Sequence, residues 1–451
     1  MKISISQLNK QVFNKQFFLI LTIICLVIIS TFLVTINTSY ILWLLVGVVG
    51  GLIIYKPFFG ILIYVFGLPF EALTEMLPSF TVLKAVGILT FLGWTFNLLI
   101  KREKVKFHLS LWPMIAYIAV GLASSLWAAN AATVFWREIT IIQLVGFFLL
   151  FYNMVKSQRE LKLILYSYTI SSLIVAIFAF RNFLLYPMER QVPFLSYQNS
   201  NFFPASISVP ILFMILLFIH KKGLKKISWF VFASLGLFAG LISQTRTFIV
   251  SFLTSMSSMI YFSKGKIKKI FLVLAIFVAL VPFMPKALYN RAISIPTAAQ
   301  NPKDRGTARL DIWLVSLNIV REHPLTGVGL NNFRQAYLTA LPETGGIVRY
   351  KWSIEDAHNI YLHTFAELGV FGLAIFMSII YIIGRGLVKA VKRLTDKSMK
   401  IYVELALVNF IFMLTYGFFV MIHYRKFFWF ALALAAVISR LSLANKKLRH
   451  N

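Results

Sequence analysis

The chain alternates long apolar runs with short polar joints that hold most of its charge. A run of about twenty apolar residues matches the width of a bilayer's hydrocarbon core, and the sequence divides into about fourteen such runs. Their approximate bounds are 16–36, 41–55, 58–73, 80–100, 111–128, 137–155 and 161–180, then 203–220, 227–243, 247–263, 269–285, 360–383, 400–422 and 426–442. The runs at 41–55 and 58–73 are short and glycine-rich, so they read either as two spans or as one re-entrant hairpin, giving 12–14 crossings. One long polar interruption breaks the series, from Met284 to Tyr361. Unpaired backbone is costly in lipid, so this segment is expected at or outside the membrane surface.

The pattern predicts an all-α polytopic membrane protein in three parts. These are an N-terminal bundle over 1–285 with about eleven spans, a large external loop over 286–359 containing short helices, and C-terminal helices with a tail over 360–451. Within the loop, positions 310, 313, 314, 317 and 320 are apolar at helical spacing until His323-Pro324, which predicts a helix with one oily face lying on the membrane or the bundle mouth.

Composition agrees with a membrane protein: 59% of residues are hydrophobic and 13% charged, with a mean hydropathy of +0.80, against roughly 25% charged in a soluble domain. The net charge of +30 raises nucleic acid as a partner, but the placement of the basic residues speaks against it. If the joints alternate from an inside N-terminus, 29 of the 45 Lys and Arg fall on one side. That is the positive-inside asymmetry of a membrane protein. Both termini are then cytoplasmic and the long loop lies outside. The single cysteine, Cys25, sits in the first predicted span and excludes an intrachain disulfide or a cysteine-cluster metal site. That span lacks a small-x-small cleavage site, so it is not expected to be removed as a signal peptide.

The outside-facing arginines are what this asymmetry leaves unexplained. Arg246 sits in a joint of a few residues between two apolar runs, where it is either a snorkelling interfacial arginine or an anion contact. Arg305 and Arg309 open the predicted loop helix, where cations oppose the macrodipole and an anionic ligand would offset that cost; the alternative is a solvated charged turn. Leu325-Thr326-Gly327-Val328-Gly329 permits a tight turn, but without a following GK[ST] it is no phosphate loop. His358 precedes the next span, with Asp356 two residues before it and Glu367 about two turns into the helix. Arg349, Lys351, Arg425 and Lys426 are further candidates for an anion surface, while Arg181, Arg190, Asn199 and Asn201 line another external joint that either contacts glycan or, the better reading, is an ordinary polar loop. There is no Asp-x-Asp pair, so no metal and no cofactor is expected.

The stretch His358-Asn359-Ile360-Tyr361-Leu362, followed by Ala366-Glu367-Leu368-Gly369 and Gly372-Leu373, resembles the His-Asn-x-Tyr-Leu-x-x-x-Ala-Glu-Leu-Gly-x-x-Gly-Leu signature of the O-antigen ligase and polymerase superfamily. Arg309-x-x-x-Trp313, His323-Pro324-Leu325-x-Gly327-Val328-Gly329 and Thr245-Arg246 are similar to other parts of that pattern, although serine is commoner where Thr245 stands. The resemblance covers about the C-terminal half. It implies a GT-C-type membrane glycosyltransferase that takes a glycan from undecaprenyl diphosphate at the outer face of the bacterial inner membrane. In that family two external arginines bind the diphosphate and a histidine assists the acceptor hydroxyl, which on this chain implies Arg246, Arg309 and His358; by position alone, Arg305, Arg349 and Arg425 could extend the anion surface, and Asp356 either orients His358 or forms a structural salt bridge. The acceptor is lipid A core or another glycan for a ligase, or a second lipid-linked repeat for a polymerase. Polymerases carry paired Arg-x10-Gly motifs, and here Arg334 to Gly345 alone fits, which favours a ligase.

A transporter of lipid-linked glycan would place ionisable residues at mid-membrane and use repeated broken helices. Apart from Glu367, the charged residues Lys84, Arg137, Glu138 and Glu404 fall near span ends, where snorkelling accounts for them.

Overall fold

The computed structural model describes residues 38–70, 81–186, 200–262, 305–340, 356–394 and 396–447. Among these residues the secondary structure is helical. The helices are α1 (Thr38–Tyr55), α2 (Pro57–Gly67), α3 (Val82–Lys101), α4 (Leu111–Ala123), α5 (Ala131–Met154), α6 (Gln158–Leu185), α7 (Phe203–Ser206), α8 (Ser208–His220), α9 (Lys225–Ile242) and α10 (Arg246–Phe262). After a gap follow α11 (Arg305–Glu322), α12 (Phe333–Ala340), α13 (Ile360–Lys392), α14 (Lys400–Gly417) and α15 (Lys426–Lys447). Among the described residues, seven stretches are long and apolar enough to cross a membrane: α3, α5, α6, α9, α13, α14 and Lys426–Ala444 of α15. The chain is an all-α polytopic membrane protein. The predicted runs at 16–36 and 269–285 lie outside the described residues, and the run at 203–220 is split between α7 and α8 at Ile207, which leaves the helical conformation.

Polar side chains mark where several helices start. Asn130 accepts from the Thr133 backbone N–H to cap α5, Ser157 and Glu160 form a reciprocal capping box on α6, and the Asn359 side chain accepts from the first backbone N–H groups of α13. Each satisfies donors that no helical carbonyl can reach.

At one end of the bundle, where α5 and α8 finish and α14 begins, polar ties hold helices together. Arg440 donates to the Tyr152 carbonyl at 2.6 Å and also to that of Val155, and His220 pairs with Glu404 at 2.5 Å. The N-termini of α5, α13 and α15 lie at the opposite end, and with them the His358 segment.

Two sequence expectations are corrected here. Arg137 and Glu138 do not snorkel. Glu138 is 1% exposed, and among the described residues neither carboxylate oxygen has a hydrogen-bond partner. Arg137 donates to the Asn331 side-chain oxygen at 2.7 and 3.1 Å and lies 4.2 Å from the centre of the Tyr424 ring. Glu404 likewise has partners, His220 and Lys400.

The second correction concerns α11. Its buried apolar stripe is Ile312, Val315, Ile319 and Val320, so Val320 of the predicted face is inside while Leu310, Leu314 and Leu317 are exposed. Both stripes are apolar at helical spacing, so periodicity alone could not choose between them. The inner stripe packs with Phe333, Tyr337, Ala357 and Ala366 into a second, smaller core above the bundle. Each fully buried aliphatic or aromatic side chain there contributes about 1.5–3 kcal/mol over its exposed state. This core fixes α11 and α12 on the N-terminal half of α13.

Candidate functional site

The site is built on the turn 356–359. Asn359 accepts from the backbone N–H groups of Tyr361 at 2.9 Å and Leu362 at 3.1 Å, which sets the start of α13. His358 is therefore held just outside the helix, in a left-handed conformation with φ 48°. Histidine enters that region more readily than most residues but still at some cost. The turn repays it locally: Asp356 Oδ1 accepts from the His358 backbone N–H at 2.8 Å and lies 3.1 Å from its Nδ1. Trp313 of α11 donates from its indole to the Ala357 carbonyl at 3.0 Å.

The His358 side chain remains 38% exposed, enough for a substrate to reach the ring. With Nδ1 donating to Asp356, Nε2 carries a lone pair that can accept a proton. Burial pulls the His358 pKa below the usual histidine value; Asp356 opposes the shift, and Arg309 and His363 add to it. The net effect is a ring that stays neutral near pH 7, the state a proton acceptor requires.

Arg309 lies in the first turns of α11, and its charge reaches His358. Arg305 opens the same helix. Arg349, Lys351, Arg190 and Asn199 lie outside the described residues. Arg246 begins α10, directly after buried Gln244 and Thr245. Gln244 is also left-handed, with φ 54°, and Thr245 donates to the Ser200 carbonyl at 3.0 Å. Arg425 sits 4.0 Å from the centre of the neighbouring Phe202 ring. The segment from Phe418 to Arg425 links these two groups. Phe418 packs edge-on against Trp313 at 5.6 Å, while Arg425 reaches Phe202 at the other end. The structure thus brings Asp356, His358 and Arg309 together and relates Arg425 to them through this segment.

Residues 324–333 lock the site to the bundle. Helix α13 is broken at Gly369, whose φ of 63° and ψ of −166° are accessible essentially to glycine alone. The break removes helical bonds, and the loop replaces them: Val328 N–H donates to the Ala366 carbonyl at 3.0 Å, Gly329 N–H to that of Glu367 at 2.9 Å, and Val370 N–H to that of Pro324 at 2.9 Å. A side chain on Gly327 would strike the Glu367 backbone, and one on Gly369 the Leu325 backbone. Irregular backbone at this depth is tolerable because protein satisfies it.

Beneath His358 lies a buried polar group that sequence reasoning largely missed. Glu367 and His363 meet at 3.1 Å with side chains 2% and 4% exposed. Tyr424 donates to the Glu367 carboxylate at 3.1 Å and the Phe333 backbone N–H does so at 3.3 Å. Arg137, Asn331 and Asn332 extend the group to the start of α5, with Asn332 accepting from the Asn130 backbone N–H at 2.8 Å. His423 packs beside it, 2% exposed, with neither ring nitrogen hydrogen-bonded among the described residues. The separation of His363 and Glu367 by four residues was the available signal, since such residues share a helix face. Among the described residues no three His, Cys, Asp or Glu side chains converge as a metal site.

No curated protein matches the chain. Residues 231–377 match the family model of the O-antigen ligase domain. That span runs from α9 through α10 and α11 to the broken helix, and so includes Arg246, Arg309, His358 and Glu367. This match, over about a third of the chain, supports the resemblance to the O-antigen ligase and polymerase superfamily.

Proposed function

We propose that the protein is an O-antigen ligase, a membrane glycosyltransferase that moves a glycan from undecaprenyl diphosphate to an acceptor such as lipid A core at the outer face of the bacterial inner membrane. The observation that carries this is the half-exposed His358, oriented by Asp356 and lying within the field of Arg309.

In the proposed reaction, the acceptor hydroxyl oxygen attacks the anomeric carbon of the donor glycan and its proton passes to His358 Nε2. The bond from that carbon to the phosphate oxygen breaks, and the electron pair leaves with the diphosphate. Direct displacement inverts the anomeric configuration. Arg309 and Arg246 offset the charge that develops on the leaving group, and a guanidinium suits this role because it stays protonated and presents a planar fork of donors. Removing one such donor typically lowers the rate by about 10²–10³-fold, and removing a positioned base by about 10²–10⁴-fold. Arg305, Arg349 and Arg425 would extend the anion surface. The superfamily's polymerases run the same chemistry with a second lipid-linked repeat as acceptor, so the acceptor assay separates the two.

The test uses purified protein in liposomes with undecaprenyl-diphosphate glycan and either lipid A core or unextended repeat units. Product on lipid A core, lost in His358→Ala and Arg309→Ala, supports the ligase. Glycan ladders formed without lipid A core support the polymerase, and undiminished product in both variants overturns the site.

A further inference from the structure

The turn that holds the strained His358 is anchored from above by Trp313. One contact reaches out of that turn into the membrane: the backbone N–H of Ala357 donates to His363 Nδ1 at 3.4 Å. For Nδ1 to accept, the proton of a neutral His363 must sit on Nε2, and Nε2 faces Glu367 Oε1 at 3.1 Å. Glu367 thereby selects which nitrogen of His363 bears the proton. The carboxylate is itself fixed by Tyr424 and by the N–H that begins α12, and its carbonyl is tied to Gly329 across the helix break. The chain of contacts runs Glu367, His363, Ala357, His358, each group held by protein and nearly closed to solvent until the last.

We infer that Glu367 and His363 are positioning residues, which set the pose of His358 by holding His363 in the form that accepts the Ala357 N–H. The inference rests on His358 being the base proposed above. It also accounts for a buried ionisable pair inside an apolar helix, a costly arrangement that usually has a functional reason.

Glu367→Gln is the sharpest probe because it keeps shape and removes charge. An amide leaves one neutral oxygen for both His363 Nε2 and the Phe333 N–H, and a neutral acceptor binds a proton donor less strongly than a carboxylate, so the hold that keeps the His363 proton on Nε2 is weakened. The first measurement needs no substrate: carbethoxylation of His358 by diethyl pyrocarbonate at pH 7, followed by peptide mass, with exposed His323 as internal reference. The expected result is a change of about threefold or more in the His358 rate with His323 unchanged. The second is glycan transfer: Glu367→Gln should lower kcat by about tenfold or more, the size of effect seen when a residue that orients a functional histidine is lost, with the KM for donor within about twofold. In a His358→Ala background it should cause no further loss, because residues acting as one unit are not additive.

An unchanged His358 labelling rate, or an equal loss in the His358→Ala background, overturns the inference. If Glu367→Gln fails to accumulate, His363 decides instead. His363→Asn places an oxygen where Nδ1 stood and should label His358 more like the wild type than His363→Ala does; equal labelling of the two overturns the inference. Absence of glycan transfer by the wild type would defeat the proposed reaction, while the labelling would still decide the positioning.

Discussion

The indole of Trp313 donates to the carbonyl of Ala357 at 3.0 Å, joining the helix that carries Arg309 to the residue before His358. Arg309 and the His358 turn therefore share one frame, although Arg309 and Ala357 are 48 positions apart in the chain.

Trp313→Phe keeps an aromatic ring beside Phe418 and removes the donor. A net hydrogen bond contributes about 0.5–1.5 kcal/mol. Glycan transfer should fall by about three- to tenfold in kcat with normal membrane abundance. A wild-type kcat would show that α11 and the His358 turn are not coupled through this bond.

The rate should depend on pH through His358, rising as the ring loses its proton at a midpoint below the usual histidine value. Arg309 disfavours the protonated ring and Asp356 favours it. Arg309→Ala should therefore move the midpoint up and Asp356→Asn should move it down, measured on the residual activity of each variant. Shifts of the same sign in both would contradict this electrostatic account.

Gly369→Ala should destabilise the protein more than an ordinary helical glycine does. Its backbone lies where side chains are excluded, at a cost of about 1–3 kcal/mol before any clash, and a methyl group would meet Leu325. Gly146→Ala, within α5 and with open space around it, is the control. Thermal unfolding in detergent should fall by several degrees for the first and hold steady for the second.

Arg137→Gln distinguishes an anchor from a snorkelling charge. The guanidinium donates to Asn331 and stacks on Tyr424, and a hydrogen bond from a charged donor contributes about 1.5–3 kcal/mol. Unfolding should shift down and the 324–333 loop should become more open to proteolysis. A variant as stable and as resistant as the wild type would restore the snorkelling account.

Much of this architecture is legible from hydropathy, because a bilayer imposes one length and one polarity on every crossing. The spans over 80–100, 360–383 and 426–442 fall on α3, α13 and α15, and the His358-Asn359 pair is readable as chemistry beside a helix cap. Pairings across the chain were harder to see. Arg137 lies near a span end and looks like an interfacial charge until Asn331, 194 positions later, folds onto it. The α11 face is legible only in part, at Val320, for the same reason. Leu310, Leu314 and Leu317 are as apolar as Ile312, Val315 and Ile319, and the choice is made by Phe333 and Tyr337 from another helix. Gly327 and Gly329 gave a weak local signal because their purpose is to approach a distant backbone.

The break in α13 also bears on how such proteins can be re-engineered. Helical hydrogen bonds normally belong to a single segment, so a loop can be exchanged without touching the span it leads into. Here Pro324, Val328 and Gly329 supply bonds that the span itself lacks. A chimera that exchanges residues 324–329 must therefore exchange residues 366–370 with them, since backbone hydrogen bonds make the two stretches one unit.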